Sequence, residues 1–266
     1  MVINDKEKFI FIHIPKNAGT SIAQMLLKHF DNNNYDEVPT HHYVASDPNY
    51  IKRAYFPQHA ALKWLGNKFP EKLLYKKICF SRNPYSRMVS WWTYNRSHAK
   101  FWEEYDLARH ARDMEFNEWL LKCIQRGRQE LIPQVYYISP NFKYKITNRD
   151  STIDTHPLRH NNYIREKFGL GDTDNPTPIF QPIADFVGKV ENLEQDMRRL
   201  FDYLGITYNV MDVTQENKSK EKVDYREQYN TESVEIVQSI FQQDFEYFNY
   251  SYDLTSGLHK NNAESA

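Results

Sequence analysis

The sequence predicts an α/β chain in three layers, a central and largely parallel sheet flanked by helices. Twice an apolar run of β-forming residues enters a short polar loop and then a helical pattern. No repeat, low-complexity block or linker interrupts the chain. Its 266 residues, 40% hydrophobic and 26% charged, suit one soluble domain with a full sheet at its centre. That domain is expected over residues 1–254, with 255–266 as a flexible tail.

Lys8 to Ile14 alternates and then saturates with apolar residues, as a buried strand does. The run continues through Pro15-Lys16-Asn17-Ala18-Gly19-Thr20-Ser21. Ile22 to Leu27 then reads as a helix, with Ser21 and Gln24 spaced as a capping box. Such a turn aims free backbone N–H groups and the positive end of a helix dipole at one point, which suits a phosphate or sulfate. The lysine precedes the loop's only glycine by three residues, so this is not the G-x-x-x-x-G-K-[ST] loop of ordinary ATPases and GTPases. The dinucleotide fingerprint G-x-G-x-x-G is also missing.

Lys76 to Ser81 is the second predicted strand, with Arg82 at its end. Asn83 is a good N-cap and Pro84 a good first helical residue, so a helix starts there and carries Ser90 about two turns in. The Arg82 guanidinium offers a charged fork, and the Ser90 hydroxyl a further donor, to one phosphate. His59 sits just before a short helix, while His41 and His42 are adjacent rather than at a chelating interval. With Cys79 and Cys123 far apart, no metal site is expected. Two cysteines also argue against a disulfide framework and for a reducing compartment. Residues 97–180 mix aromatic and basic side chains, among them Trp102, Tyr105, Arg109, Trp119, Arg126 and Arg128. They read equally as a helical insert beside a substrate site and as a solvated helix pair with buried tryptophans.

The order Pro15-Lys16-x-x-Gly19-Thr20-Ser21 after a strand resembles the 5′-phosphosulfate loop of sulfotransferases that use 3′-phosphoadenosine 5′-phosphosulfate (PAPS). The fuller form His13-Ile14-Pro15-Lys16-x-Ala18-Gly19-Thr20-Ser21 is similar to that of the carbohydrate sulfotransferase branch, the sulfotransferase family 2-like group. Many members carry threonine where this chain has Asn17. Arg82 to Ser90 resembles the family's 3′-phosphate motif and matches it at Arg82, Pro84, Arg87 and Ser90. Looser matches follow. Phe186 to Asp196 resembles a strand-then-helix segment. Asn217-Lys218-Ser219 with Tyr225 and Tyr229 resembles a loop that lies near the nucleotide in relatives. Val234 to Tyr250 resembles a closing amphipathic helix.

The resemblance implies a P-loop-like fold and an enzyme that moves a sulfuryl group from PAPS onto a hydroxyl, of a glycan above all. It implies a donor site of Lys16, Asn17, Ala18, Gly19, Thr20, Ser21, Arg82, Ser90, Lys218 and Ser219. Lys16 then faces the leaving oxygen, where a positioned ammonium meets developing negative charge. His59 is the expected base, at about the point where carbohydrate sulfotransferases place a histidine; His41 and His42 are rivals for that role or acceptor contacts. Arg87 is expected as a structural or acceptor-side group, and His13 as a structural histidine. The cradle supplies the countercharge, so no metal is required. Sulfation of a small-molecule or lipid hydroxyl, a P-loop-like kinase, and a nucleotide-binding module without turnover stay open as alternatives.

A net charge of −1 argues against a general nucleic-acid partner. With no apolar membrane span and no signal peptide, the sequence resembles a soluble, cytoplasmic and bacterial version of the family, unlike the anchored Golgi members.

Overall fold

The computed structural model describes residues 1–29, 59–98, 111–126, 128–141, 161–167, 179–207 and 223–255. The first of these hold strands β1 (Val2–Asn4) and β2 (Phe9–Ile12) and helix α1 (Gly19–His29). Helix α2 (Leu62–Lys68), strand β3 (Lys76–Ser81) and helix α3 (Pro84–His98) follow. Then come α4 (Phe116–Gln125), α5 (Gln134–Tyr137), α6 (Asn162–Lys167) and strand β4 (Phe186–Lys189). Helices α7 (Leu193–Leu204), α8 (Thr231–Ile240) and α9 (Gln242–Tyr247) come last. The chain divides into two compact units.

The first unit comprises Met1–Arg82, Gln134–Phe142 and Phe180–Glu221 and contains the sheet, in the order β1-β2-β3-β4. β2, β3 and β4 are mutually parallel, with Ile12 opposite Cys79 and Ser81 opposite Lys189. β1 adds an antiparallel edge that sequence periodicity did not predict, because three residues are too few to show a period. All four residues of β2 and the last four of β3 are buried, the near-continuous apolar run expected of parallel strands covered on both faces. Phe9, Phe11, Ile78 and Phe80 share one core with Ile22 and Leu26 of α1 and Met197, Leu200 and Phe201 of α7. At Gly188 a β-carbon would stand 2.4 Å from the Phe80 ring, so only glycine lets β4 lie this close to that side chain. The buried Asp196 carboxylate accepts the Lys189 N–H at 2.7 Å and fastens the end of β4 to α7. The carboxyl ends of the three parallel strands therefore share one edge, the edge where open α/β sheets bind ligands.

The second unit comprises Asn83–Pro133, Lys143–Ile179 and Lys222–Ala266. Its core gathers Tyr85, Met88 and Trp92 of α3, Phe116 and Trp119 of α4, and Ile236 and Val237 of α8. Trp119 is fully buried there, while Trp102, Tyr105 and Arg109 lie outside the described residues. The predicted start of α3 holds: the Asn83 side-chain oxygen accepts the N–H of Tyr85 at 3.0 Å, and helical geometry begins at Pro84. The single closing helix expected over Val234 to Tyr250 is instead two. Phe241 departs from helical geometry (φ −107°, ψ 21°), and the N–H groups of Asp244 and Phe245 start again from its carbonyl. This turn keeps both Phe241 and Phe245 in the core. Asn230 and Ser233 form a capping box at the start of α8.

Among the described residues no helix is long and apolar enough to cross a membrane.

Candidate active site

The loop between β2 and α1 is the most constrained backbone of the first unit. Lys16 and Ala18 both take left-handed conformations, φ 67° and 56°, on either side of Asn17. For residues with a β-carbon such conformations cost of order 1–3 kcal/mol each and persist only where the surroundings enforce them. Left-handed residues set between others gather successive N–H groups into a concavity that suits an anion. The Ile22 N–H is bonded to the Ala18 carbonyl at 3.1 Å, so the N–H groups of Gly19, Thr20 and Ser21 open the helix without helical partners. The helix thus begins earlier than predicted. Ser21 is its third residue rather than its cap, and the expected Ser21–Gln24 capping box does not form. The buried Gln24 Oε1 has no hydrogen-bond partner among the described residues.

Gly19 is fixed by a neighbour. A β-carbon there would meet the His13 ring at 1.9 Å, so the buried imidazole of His13 occupies the space that any other side chain would need. His13 in turn meets His59 edge to face, with ring centroids 4.5 Å apart. The exposed His59 places Nδ1 2.9 Å from the His13 carbonyl oxygen. A carbonyl only accepts, so in the neutral ring the proton sits on Nδ1 and Nε2 is the basic nitrogen.

Arg82, at the end of β3, reaches across to the same loop. Its Nη1 donates to the Lys16 carbonyl at 3.1 Å. Burial first, and then the Arg82 charge, bring the Lys16 ammonium down from 10.5 to about 7. The structure therefore brings the Arg82 guanidinium onto the lysine-bearing loop that leads into the N-terminus of α1.

Asn17 faces inward. It is 1% exposed, and its Nδ2 donates to the Phe80 carbonyl at 2.7 Å and to Gln134 Oε1 at 2.6 Å. Gln134 is the residue that sequence reasoning missed. It belongs to no motif, and its one signal is a polar side chain in a stretch, Leu131 to Ser139, whose other residues are buried apart from Pro133.

In the second unit Ser90 is half-buried on α3. Arg87 is 1% exposed; it donates from Nη1 to the Ile132 carbonyl at 3.0 Å and lies 5.8 Å over the Phe241 ring. These are internal contacts of that unit's core. His41, His42, Lys218 and Ser219 lie outside the described residues.

No curated protein and no solved structure matches the chain. The model of a family described as the sulfotransferase family matches residues 1–251, nearly its whole length. With that match over a strand–loop–helix turn that holds a lysine and an arginine together, the chain belongs to the sulfotransferase family.

Proposed function

We propose that this sulfotransferase takes its sulfuryl group from PAPS and delivers it to a carbohydrate hydroxyl by direct in-line displacement. The observation that carries the donor assignment is the juxtaposition of Lys16 and Arg82 at the N-terminus of α1. PAPS has two anionic groups, and the two motifs offer one cationic side chain to each. The carbohydrate acceptor rests on the likeness of the His13–Ser21 loop to the carbohydrate branch, since one fold serves many substrates. A P-loop-like arrangement of the layers belongs to the same proposal.

In this reading the N–H groups of Gly19, Thr20 and Ser21 hold the 5′-phosphosulfate, with Asn17 and Ala18 shaping the loop beneath it. Arg82 holds the 3′-phosphate; Ser90, Lys218 and Ser219 join the donor set from their motifs. His59 Nε2 takes the acceptor proton as the hydroxyl oxygen forms its bond to sulfur. The bond from sulfur to the bridging oxygen breaks, and Lys16 meets the charge that builds on that oxygen. The products are the sulfate ester and adenosine 3′,5′-bisphosphate, with no covalent enzyme intermediate and no metal. His41 and His42 are proposed acceptor contacts, and 97–180 the stretch that borders the acceptor within a single 1–254 domain. Arg87, whose described contacts are with Ile132 and Phe241, has a structural part.

Calorimetric titration with adenosine 3′,5′-bisphosphate, beside adenosine 5′-monophosphate and ATP–Mg²⁺, tests the donor. A strong preference for the bisphosphate is expected. Preference for ATP–Mg²⁺ sinks the reading and points to a kinase.

A further inference from the structure

We propose that Gln134 is a positioning residue that sets the spacing of the two anion-binding motifs; this rests on the donor reading above. Gln134 opens α5 and is fully buried. Its carboxamide grips the Arg82 backbone in both directions: Oε1 accepts the Arg82 N–H at 2.9 Å, and Nε2 donates to the Arg82 carbonyl at 2.9 Å. Those two bonds fix which atom is oxygen, because an N–H must meet an acceptor and a carbonyl a donor. The same Oε1 accepts Asn17 Nδ2 at 2.6 Å.

With the bond from Arg82 Nη1 to the Lys16 carbonyl, a closed ring results, running through Lys16, Asn17, Gln134 and Arg82. The place calls for a side chain that accepts and donates at once. Glutamate could accept twice but would leave the Arg82 carbonyl without its donor and add a buried charge, and a hydrocarbon could do neither. The ring is what a left-handed Lys16 and Ala18 need, since strained backbone survives only where its surroundings over-determine it. It also ties the Arg82 guanidinium to the Lys16 backbone, which sets the spacing from which the two residues meet a ligand with two anionic groups, as two linked binding events do.

The readout is the ratio of affinities for adenosine 3′,5′-bisphosphate and adenosine 5′-monophosphate. Loss of general stability leaves that ratio alone, whereas loss of spacing lowers it. Gln134→Leu is expected to cut the ratio about tenfold or more and to lower kcat with PAPS by more than it raises KM. Asn17→Ala breaks the ring at its far side and should lower the ratio as well. In the double variant the two effects should not add, because each opens the same ring. If Gln134→Leu fails to fold, the ratio in Asn17→Ala decides. A wild-type protein that prefers the bisphosphate, with folded variants that keep its ratio, overturns this inference alone. A wild-type protein without that preference removes the donor reading and this inference with it.

Discussion

Lys16 is half-buried beside a guanidinium, and both circumstances favour its neutral form at a pH where lysine is ordinarily charged. The unfolded chain keeps that proton up to the ordinary value of 10.5, whereas the native loop releases it near 7. Lys16 therefore opposes folding most fully below pH 7, and its opposition fades as pH rises from about 7 toward 10.5. Denaturant titrations should show a stability gain across that window that Lys16→Met flattens. Binding of an anion reverses the preference, because phosphate oxygens favour the ammonium. Above pH 7, bisphosphate binding should draw in up to about one proton, read by calorimetry in buffers of different ionisation enthalpy. Unchanged uptake in Lys16→Met would take the lysine out of the cradle. Lys16→Ala should lower turnover about 10²–10³-fold, as loss of one transition-state donor does. For His59, whose Nδ1 is anchored to the His13 carbonyl, alanine should abolish the acid limb of the pH–rate profile and spare bisphosphate affinity. Normal turnover in that variant would move the role to His41 or His42.

Between strand and helix, the outcome turns on where a short loop places its ends. Two strand–loop–helix junctions were legible, because buried parallel strands read as apolar runs and Asn83-Pro84 is a strong helix start. The exact start of α1 was not. Ser21 and Gln24 have the spacing of a cap, but the helix starts from a left-handed Ala18, and nothing about an alanine announces that conformation. Gln134 was illegible for another reason: its partners are 52 and 117 positions away, and local pattern carries no information about them. Gly19 was legible as a loop glycine; the imidazole that demands it was not. Gly19→Ala should cost about 1–3 kcal/mol by overpacking and weaken bisphosphate binding, since His13 must move to admit the methyl group. The capping box of α8 is a useful contrast. Asn230→Ala should lower stability by about 1 kcal/mol in a denaturant titration and leave the affinity ratio untouched.

The molecule as a whole is close to neutral, with a formal charge of −1, yet Lys16 and Arg82 sit together at the positive end of a helix. Attraction for the donor must then be local rather than a property of the total charge. Bisphosphate affinity should fall as ionic strength rises, though less steeply than for a strongly basic protein, because partly buried charges are screened less. A salt-independent affinity would argue against an electrostatic cradle. The acceptor was never legible at this scale, since residues that choose a hydroxyl share no spacing rule. One consequence of the bond between Asn17 and Gln134 concerns the timing of synthesis. Asn17 leaves the ribosome 117 residues before the glutamine that braces it. At about 5–20 residues per second that is a delay of roughly 6 to 23 seconds. During it the nascent chain carries Lys16 in a loop that still lacks its Gln134 brace.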